Sequence, residues 1–73
     1  MSNYDGTLVS ELLVLDLADL RTASQARAAL KKFDCLFSVA KIAKRRRSEY
    51  TKLSALRHDL RHLRQHFRAL QPA

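Results

Sequence analysis

The most regular pattern of apolar residues in this 73-residue chain lies in its last third. Between Leu53 and Leu70 the apolar positions alternate spacings of three and four, which is a heptad pattern without a gap. This leucine seam predicts an amphipathic helix over about 49–70, and Pro72 ends the helical potential. The seam is expected to lie in a bundle core or in a dimer interface, and it consists of Leu53, Leu56, Leu60, Leu63, Phe67 and Leu70.

A first helix is predicted over about 8–20, after a loose tail at 1–6. Thr7 is a suitable N-cap residue for it. Its three acids fall on one narrow face, which leaves a broad apolar face for packing. The apolar run 12–15 could instead form a strand, but the chain has no second strand-like run to pair with it. We therefore favour a helix, whose acids are Glu11, Asp16 and Asp19.

A second helix is predicted over about 23–45. Thr22 and Gln25 have the spacing of a capping box, in which each side chain accepts a hydrogen bond from the other residue's backbone N–H. The apolar residues of this helix form two stripes on nearly opposite sides, so we expect neighbours on both sides, one of which could belong to another copy. The larger stripe is Ala26, Ala29, Leu30, Phe33, Phe37 and Ala40, and the smaller one is Cys35, Val39 and Ile42.

The connection between the last two helices allows two architectures. A hairpin would turn near 46–48, whereas a single helix over 23–70 would be roughly 70 Å long at about 1.5 Å per residue. The whole span lacks Gly and Pro, which permits the long helix. The adjacent cations Lys44–Arg47 repel one another and interrupt the seam, so the hairpin is favoured. We expect one all-α domain over 1–73, a small helical hairpin or three-helix chain that dimerises through its helices.

Charge is distributed unevenly along the chain. Residues 1–20 carry four acids and no Lys or Arg, whereas the rest carries all fourteen Lys and Arg against three acids. The resulting net charges of −4 and +11 favour an acidic partner for the basic part: nucleic acid, an acidic protein surface or an anionic membrane. The acidic first helix could also pair with the basic part, in its own chain or across a dimer.

The cysteine content and the N-terminus indicate the compartment. One cysteine, Cys35, excludes an intrachain disulfide and a zinc site with paired cysteines. The N-terminus lacks the basic leader of a signal peptide, and the run 8–20 is too short and too charged to cross a bilayer. We expect a cytoplasmic protein that does not enter the membrane.

The candidate binding surface is basic. The run from Lys44 through Arg45, Arg46 and Arg47 lies next to Tyr50, and an aromatic anchor surrounded by arginines is typical of a protein-binding hot spot. A row of arginines on the last helix could hold phosphates or carboxylates. A solvated helix face and a packed tyrosine are the structural alternatives. The row is Arg57, Arg61, Arg64 and Arg68.

The residues that could carry other chemistry are few. His58, His62 and His66 are spaced by four, so neighbouring pairs could bind a metal, but no matching acid or cysteine cluster completes a site. A single glycine leaves no Gly-rich phosphate loop, and nothing marks a nucleophile. We therefore predict a protein without enzymatic activity, cofactor or metal.

The whole chain resembles the small early proteins of Mu-like temperate phages of Pseudomonas, in particular the small helical anti-activators of quorum sensing. The resemblance lies in the segments TASQARAALKKF, LFSVAKIAKRRRSEY and LSALRHDLRHLRQHFRAL. It implies a helical dimer in the host cytoplasm that inhibits a LuxR-type transcription regulator and the type IV pilus assembly ATPase.

Two functions remain open from the residues themselves. In the first, a dimeric helical protein binds and inhibits a host protein. In the second, the same cations bind the phosphates of nucleic acid, which predicts a steep dependence of affinity on salt. A basic helix on a membrane surface is a weaker third possibility, because a narrow leucine seam suits a helical partner better than lipid.

Overall fold

The part of the chain that the structure describes consists of helices and the turns that join them, as the sequence predicts. The computed structural model describes residues 6–71, with the side chain of Arg47 left out. No strand occurs in that range, so the strand alternative for 12–15 does not apply. The four α-helices of the described range are α1 (Gly6–Leu13), α2 (Ala23–Lys32), α3 (Asp34–Ala40) and α4 (Leu53–Ala69), with short 3-10 turns at Leu17–Asp19 and Arg47–Glu49.

The centre of the fold is α4, which packs against α1, α2 and α3. The middle of the leucine seam is buried within this single chain, and Leu60 is 0% exposed. At the two ends Leu53 is half-buried and Leu70 is 65% exposed. The seam therefore fills the core of its own chain, and dimerisation stays a prediction. An acidic substitution in the seam, such as Leu60→Asp, would disrupt the core of each chain whether or not the protein forms a dimer.

The first helix is shorter than predicted. It begins at Gly6, so Thr7 lies inside the helix and not at its cap, and it ends at Leu13. The chain then runs extended through Asp16, whose side chain accepts a hydrogen bond from the backbone N–H of Ala18 (2.9 Å) and caps the 3-10 turn. The rest of the predicted tail, 1–5, and Pro72 lie outside the described residues.

The capping box at the start of α2 is confirmed. The Thr22 hydroxyl accepts from the backbone N–H of Gln25 (3.1 Å), and the Gln25 amide oxygen accepts from that of Thr22 (3.2 Å). The predicted helix 23–45, however, is two helices that meet at Phe33, where φ is −98° and ψ is 14°. After this junction Leu36, which belongs to neither predicted stripe, is fully buried.

The long-helix alternative is wrong, because α3 ends at Lys41 in the left-handed conformation (φ 58°, ψ 37°). The Ile42 N–H donates to the Phe37 carbonyl (3.0 Å) and the Lys41 N–H to that of Ser38 (3.2 Å), which is a Schellman motif. The reversal thus starts at Lys41 and not near 46–48. The longest dimension of the fold, 33 Å, likewise excludes a helix of 70 Å.

The two predicted stripes of the second helix differ in burial. In the larger stripe Ala26, Leu30, Phe33 and Phe37 lie in the core, as expected. In the smaller one Cys35 and Ile42 are half-buried against that core, and Val39 is 39% exposed. The larger stripe therefore packs into the core, whereas the smaller stripe is covered only in part.

Candidate interaction surface

Three of the four arginines predicted to form a binding row contact the chain itself. Arg57 donates through Nε and Nη2 to the carbonyl of Leu17, at 3.1 and 2.8 Å. Two further arginines continue the pattern along α4. Arg64 donates to the carbonyl of Leu15 at 2.6 Å, and Arg68 to that of Leu13 at 3.4 Å.

We call these three residues the arginine ladder (Arg57, Arg64 and Arg68). The carbonyls they contact belong to alternate residues: Leu13 at the end of α1, then Leu15, and then Leu17, whose carbonyl also accepts from the backbone N–H of Leu20. The ladder gives each of these carbonyls a side-chain donor and holds the segment 13–17 antiparallel along α4. The guanidinium groups are therefore engaged in the fold, and their role in partner binding stays a prediction. Arg61 lies on the exposed face of α4, where no described residue forms an ion pair with it.

Tyr50 is 7% exposed, so the expectation of an exposed aromatic anchor is wrong. Its ring joins the hydrophobic core, and its hydroxyl donates to Asp59 Oδ2 at 2.8 Å and accepts from the backbone N–H of Arg45 at 3.0 Å. Arg45 Nε lies 3.2 Å from both carboxylate oxygens of Asp59. These three residues fasten the segment after α3 onto α4, and a role of Tyr50 in partner binding stays a prediction.

This environment changes the acidity of the tyrosine. Burial, followed by the hydrogen bond to Asp59, raises the pKa of Tyr50 to about 12, and the hydrogen bond from the Arg45 backbone opposes the rise. The folded state therefore keeps the phenolic proton at a pH where the unfolded chain, with a tyrosine pKa of about 10, has lost it. Stability from this group is complete below about pH 10 and is lost as the pH rises toward 12.

The variant Tyr50→Phe tests this linkage. It removes the titrating hydroxyl but keeps the ring in the core, so we expect its stability to be lower by about 1 kcal/mol at neutral pH. Between about pH 10 and 12 the free energy of unfolding should fall less steeply than in the unmodified chain. Urea unfolding at a series of pH values measures both. Equal slopes for the two proteins in that range would contradict the linkage.

An open groove lies between α2 and the segment 44–50. We call it the basic groove, and its polar lining carries four cations and one acid. The sequence identified Lys44, Arg45 and Tyr50 as site candidates but none of the lining residues that α2 contributes. The lining consists of Ser24, Arg27, Ala28, Leu30, Lys31, Asp34, Lys44, Arg45 and Tyr50.

The cations of the basic groove differ in how far they are neutralised. Lys44 forms an ion pair with Asp34, and Arg45 pairs with Asp59 through Nε. Among the described residues Arg27 donates only to the neutral backbone carbonyl of Tyr50, at 3.3 Å. Lys31 forms no ion pair with any residue between 6 and 71. The groove thus keeps an excess of positive charge that is open to an anionic ligand.

The remaining predicted cations flank this surface in sequence. Arg46 is exposed, and the side chain of Arg47 lies outside the described part of the chain. A further pair, Lys32 with Glu11 at 2.8 Å, links α2 to the acidic first helix within one chain. For Glu11, the acidic first helix therefore pairs with the basic part of its own chain.

The three histidines of α4 do not group with further metal-binding side chains in the described range. His58 and His62 are exposed, and His66 lies edge-on against the ring of Phe67, with 5.2 Å between ring centroids. No group of three or more His, Cys, Asp or Glu between residues 6 and 71 could hold a metal ion.

The fold and surface define a small all-helical protein with a basic groove. None of its helices in the described range has the length and apolar character needed to cross a bilayer. Comparison of the chain with protein-family models, with curated proteins and with solved structures finds no match.

Proposed function

We propose that this chain is a non-enzymatic regulatory protein that inhibits a host protein by binding an acidic surface of it through the basic groove. The observation that supports the proposal is that Arg27, Lys31, Lys44 and Arg45 line one concave surface, on which Asp34 is the only acid among the described lining residues. A concave surface with one sign of charge attracts and orients a partner of the opposite sign. Tyr50 contributes by fixing the groove wall and not by direct anchoring.

The candidate partners come from the resemblance to phage anti-activators. They are a LuxR-type transcription regulator and the type IV pilus assembly ATPase of the host. The proposal requires that such a partner present acidic residues where this basic chain binds.

We further propose that the protein acts as a homodimer. Because the leucine seam is buried in each chain, the contact would use apolar side chains that stay exposed, of which Val14 (82%) and Leu70 (65%) are the most accessible. Light scattering on the purified protein measures this directly. A mass near that of the single 8.4 kDa chain at high concentration would exclude the dimer.

Nucleic-acid binding is the second candidate, because the chain carries a net charge of +7 and the exposed Arg46 adjoins the groove. It predicts that log affinity falls by about 0.9 per duplex phosphate neutralised for each tenfold rise in salt. Phosphates contacted by several cations would give a steep slope. A flat salt response in a binding assay with duplex DNA would remove this candidate.

The double variant Arg27→Glu/Lys31→Glu should abolish capture of the protein partner. It reverses the charge of the α2 side of the groove, and each like-charge contact with an acidic partner costs binding energy, so we expect a loss of at least about 100-fold. The assay is a pull-down of the tagged full chain from nuclease-treated bacterial lysate, with mass spectrometry of the bound proteins.

The matched control is Arg21→Glu/Lys52→Glu, which makes the same change of net charge at exposed positions outside the groove. It should retain the partner. Equal loss in both double variants would mean that net charge, and not the groove, determines binding. Loss of every protein partner on nuclease treatment of the unmodified sample would favour the nucleic-acid function.

A further inference from the structure

The α2 side of the basic groove has the arrangement of an anion site. Ser24, Arg27 and Lys31 follow one another at spacings of three and four, so they share one face of α2. Ser24 lies in the first turn of this ten-residue helix, where the helix dipole favours negative charge. The hydroxyl and the two cations therefore present donors of different length toward the same space.

The opposite side supplies directional donors. Arg45 uses Nε for the carboxylate of Asp59, and no bond to a described residue involves its two terminal nitrogens. A guanidinium held in this way by a fixed carboxylate is oriented and can still donate to a second anion. Lys44 adds a charge that is shared with Asp34 at the edge of the groove.

We propose that the basic groove binds a phosphomonoester dianion between Ser24, Arg27 and Lys31 on one side and Lys44 and Arg45 on the other. A phosphomonoester near neutral pH carries close to two negative charges and three strong acceptor oxygens, which match several converging donors. A phosphodiester carries only one charge, so it gains less from the same charged donors. The source of the monoester is a small metabolite or a phosphorylated side chain of a partner, which would deepen the proposed function.

The experiment is a two-dimensional NMR titration of the uniformly ¹⁵N-labelled full chain at about pH 7.5, above the second phosphate pKa of about 6. Phenyl phosphate represents a small monoester, and N-acetyl-phosphoserine amide represents a modified side chain. Dimethyl phosphate is the diester control. Saturable shifts are expected at the amides of Ser24, Arg27, Lys31 and Arg45, with the diester weaker by about tenfold because it lacks one charge.

Two single variants and one control locate the site. Arg27→Gln and Lys31→Gln should each weaken phenyl phosphate binding by about tenfold, since each removes a charged donor. Lys52→Gln, at the exposed start of α4 and outside the groove, should leave it unchanged. The proposal is overturned by shifts that do not saturate, by a diester that binds equally well, or by an equal effect of Lys52→Gln. A DNA oligomer without terminal phosphate that binds the same amides more tightly also overturns it, in favour of nucleic acid.

The two monoester probes separate the sources. Preference for the phosphoserine amide favours a modified protein partner, whereas preference for phenyl phosphate favours a metabolite. This inference shares the groove with the proposed function, so the two are tested apart. Suppose that a partner is retained from phosphatase-treated lysate and that the phosphate probes cause no shifts in the NMR titration. The proposed function would then stand, and the phosphate site would be excluded. Phosphate binding without any retained protein would support the phosphate site and exclude the proposed function.

Discussion

Replacing Leu60 with alanine should lower the free energy of unfolding by about 3 kcal/mol, which is a large part of the stability of a chain this short. Leu60 is 0% exposed near the middle of α4, the helix that packs against the other three helices. The truncation loses buried apolar surface and leaves a cavity that the surrounding helices can close only in part. Urea unfolding followed by circular dichroism measures the change.

The control is Leu70→Ala at the end of the same seam. Leu70 is 65% exposed, so the same truncation should cost less than about 0.5 kcal/mol. If both variants were destabilised equally, Leu70 would be buried in solution, for example against a second copy. If neither were destabilised, the packing of α4 at the centre of the fold would be wrong.

Arg64→Ala should be the most destabilising change among the charged residues, at about 2 kcal/mol. Its guanidinium donates to the Leu15 carbonyl at 2.6 Å in a half-buried position, and without it that carbonyl loses its partner. Because the arginine ladder holds the segment 13–17 on α4, the loss should act mainly on α1. Hydrogen exchange by NMR should show reduced protection for the α1 amides and a smaller change for those of α2.

The matched control is Arg61→Ala, which removes the same side chain from the exposed face of α4. We expect a change below about 0.5 kcal/mol and unchanged exchange of α1. Arg64→Lys keeps the charge but not the planar group and should recover only part of the loss. If Arg61→Ala were as destabilising as Arg64→Ala, the ladder would contribute nothing beyond general charge.

The sequence predicts those features of the fold that depend on periodicity and local chemistry. The heptad spacing identifies α4 and its buried face, because the apolar face of a helix is buried regardless of which element packs against it. The capping box at Thr22 and Gln25 identifies the start of α2 because both partners lie within four residues of each other. For the same reason the all-helical class could be inferred before any contact was known.

The ends of the other helices could not be inferred in that way. Lys41 adopts a left-handed conformation that usually requires glycine, at a cost of about 1 kcal/mol. The burial of Phe37 and the packing of Ile42 against the core compensate for it, and these are contacts of the folded chain. The path of the chain after α1 likewise depends on the carbonyls of Leu15 and Leu17, to which arginines of α4 donate from 49 and 40 positions later.

The candidate site shows the same division. The sequence alone determined that the chain is helical, strongly basic after residue 20 and built on one leucine seam, because composition and spacing are properties of the chain itself. Only the tertiary structure decided which cations are free. It placed Arg57 and Arg64 against backbone carbonyls, buried Tyr50, and brought Arg27 and Lys31 opposite Arg45. The physical reason is that the partner of a long charged side chain is set by what folding brings within hydrogen-bonding distance, and that cannot be read from spacing along one helix.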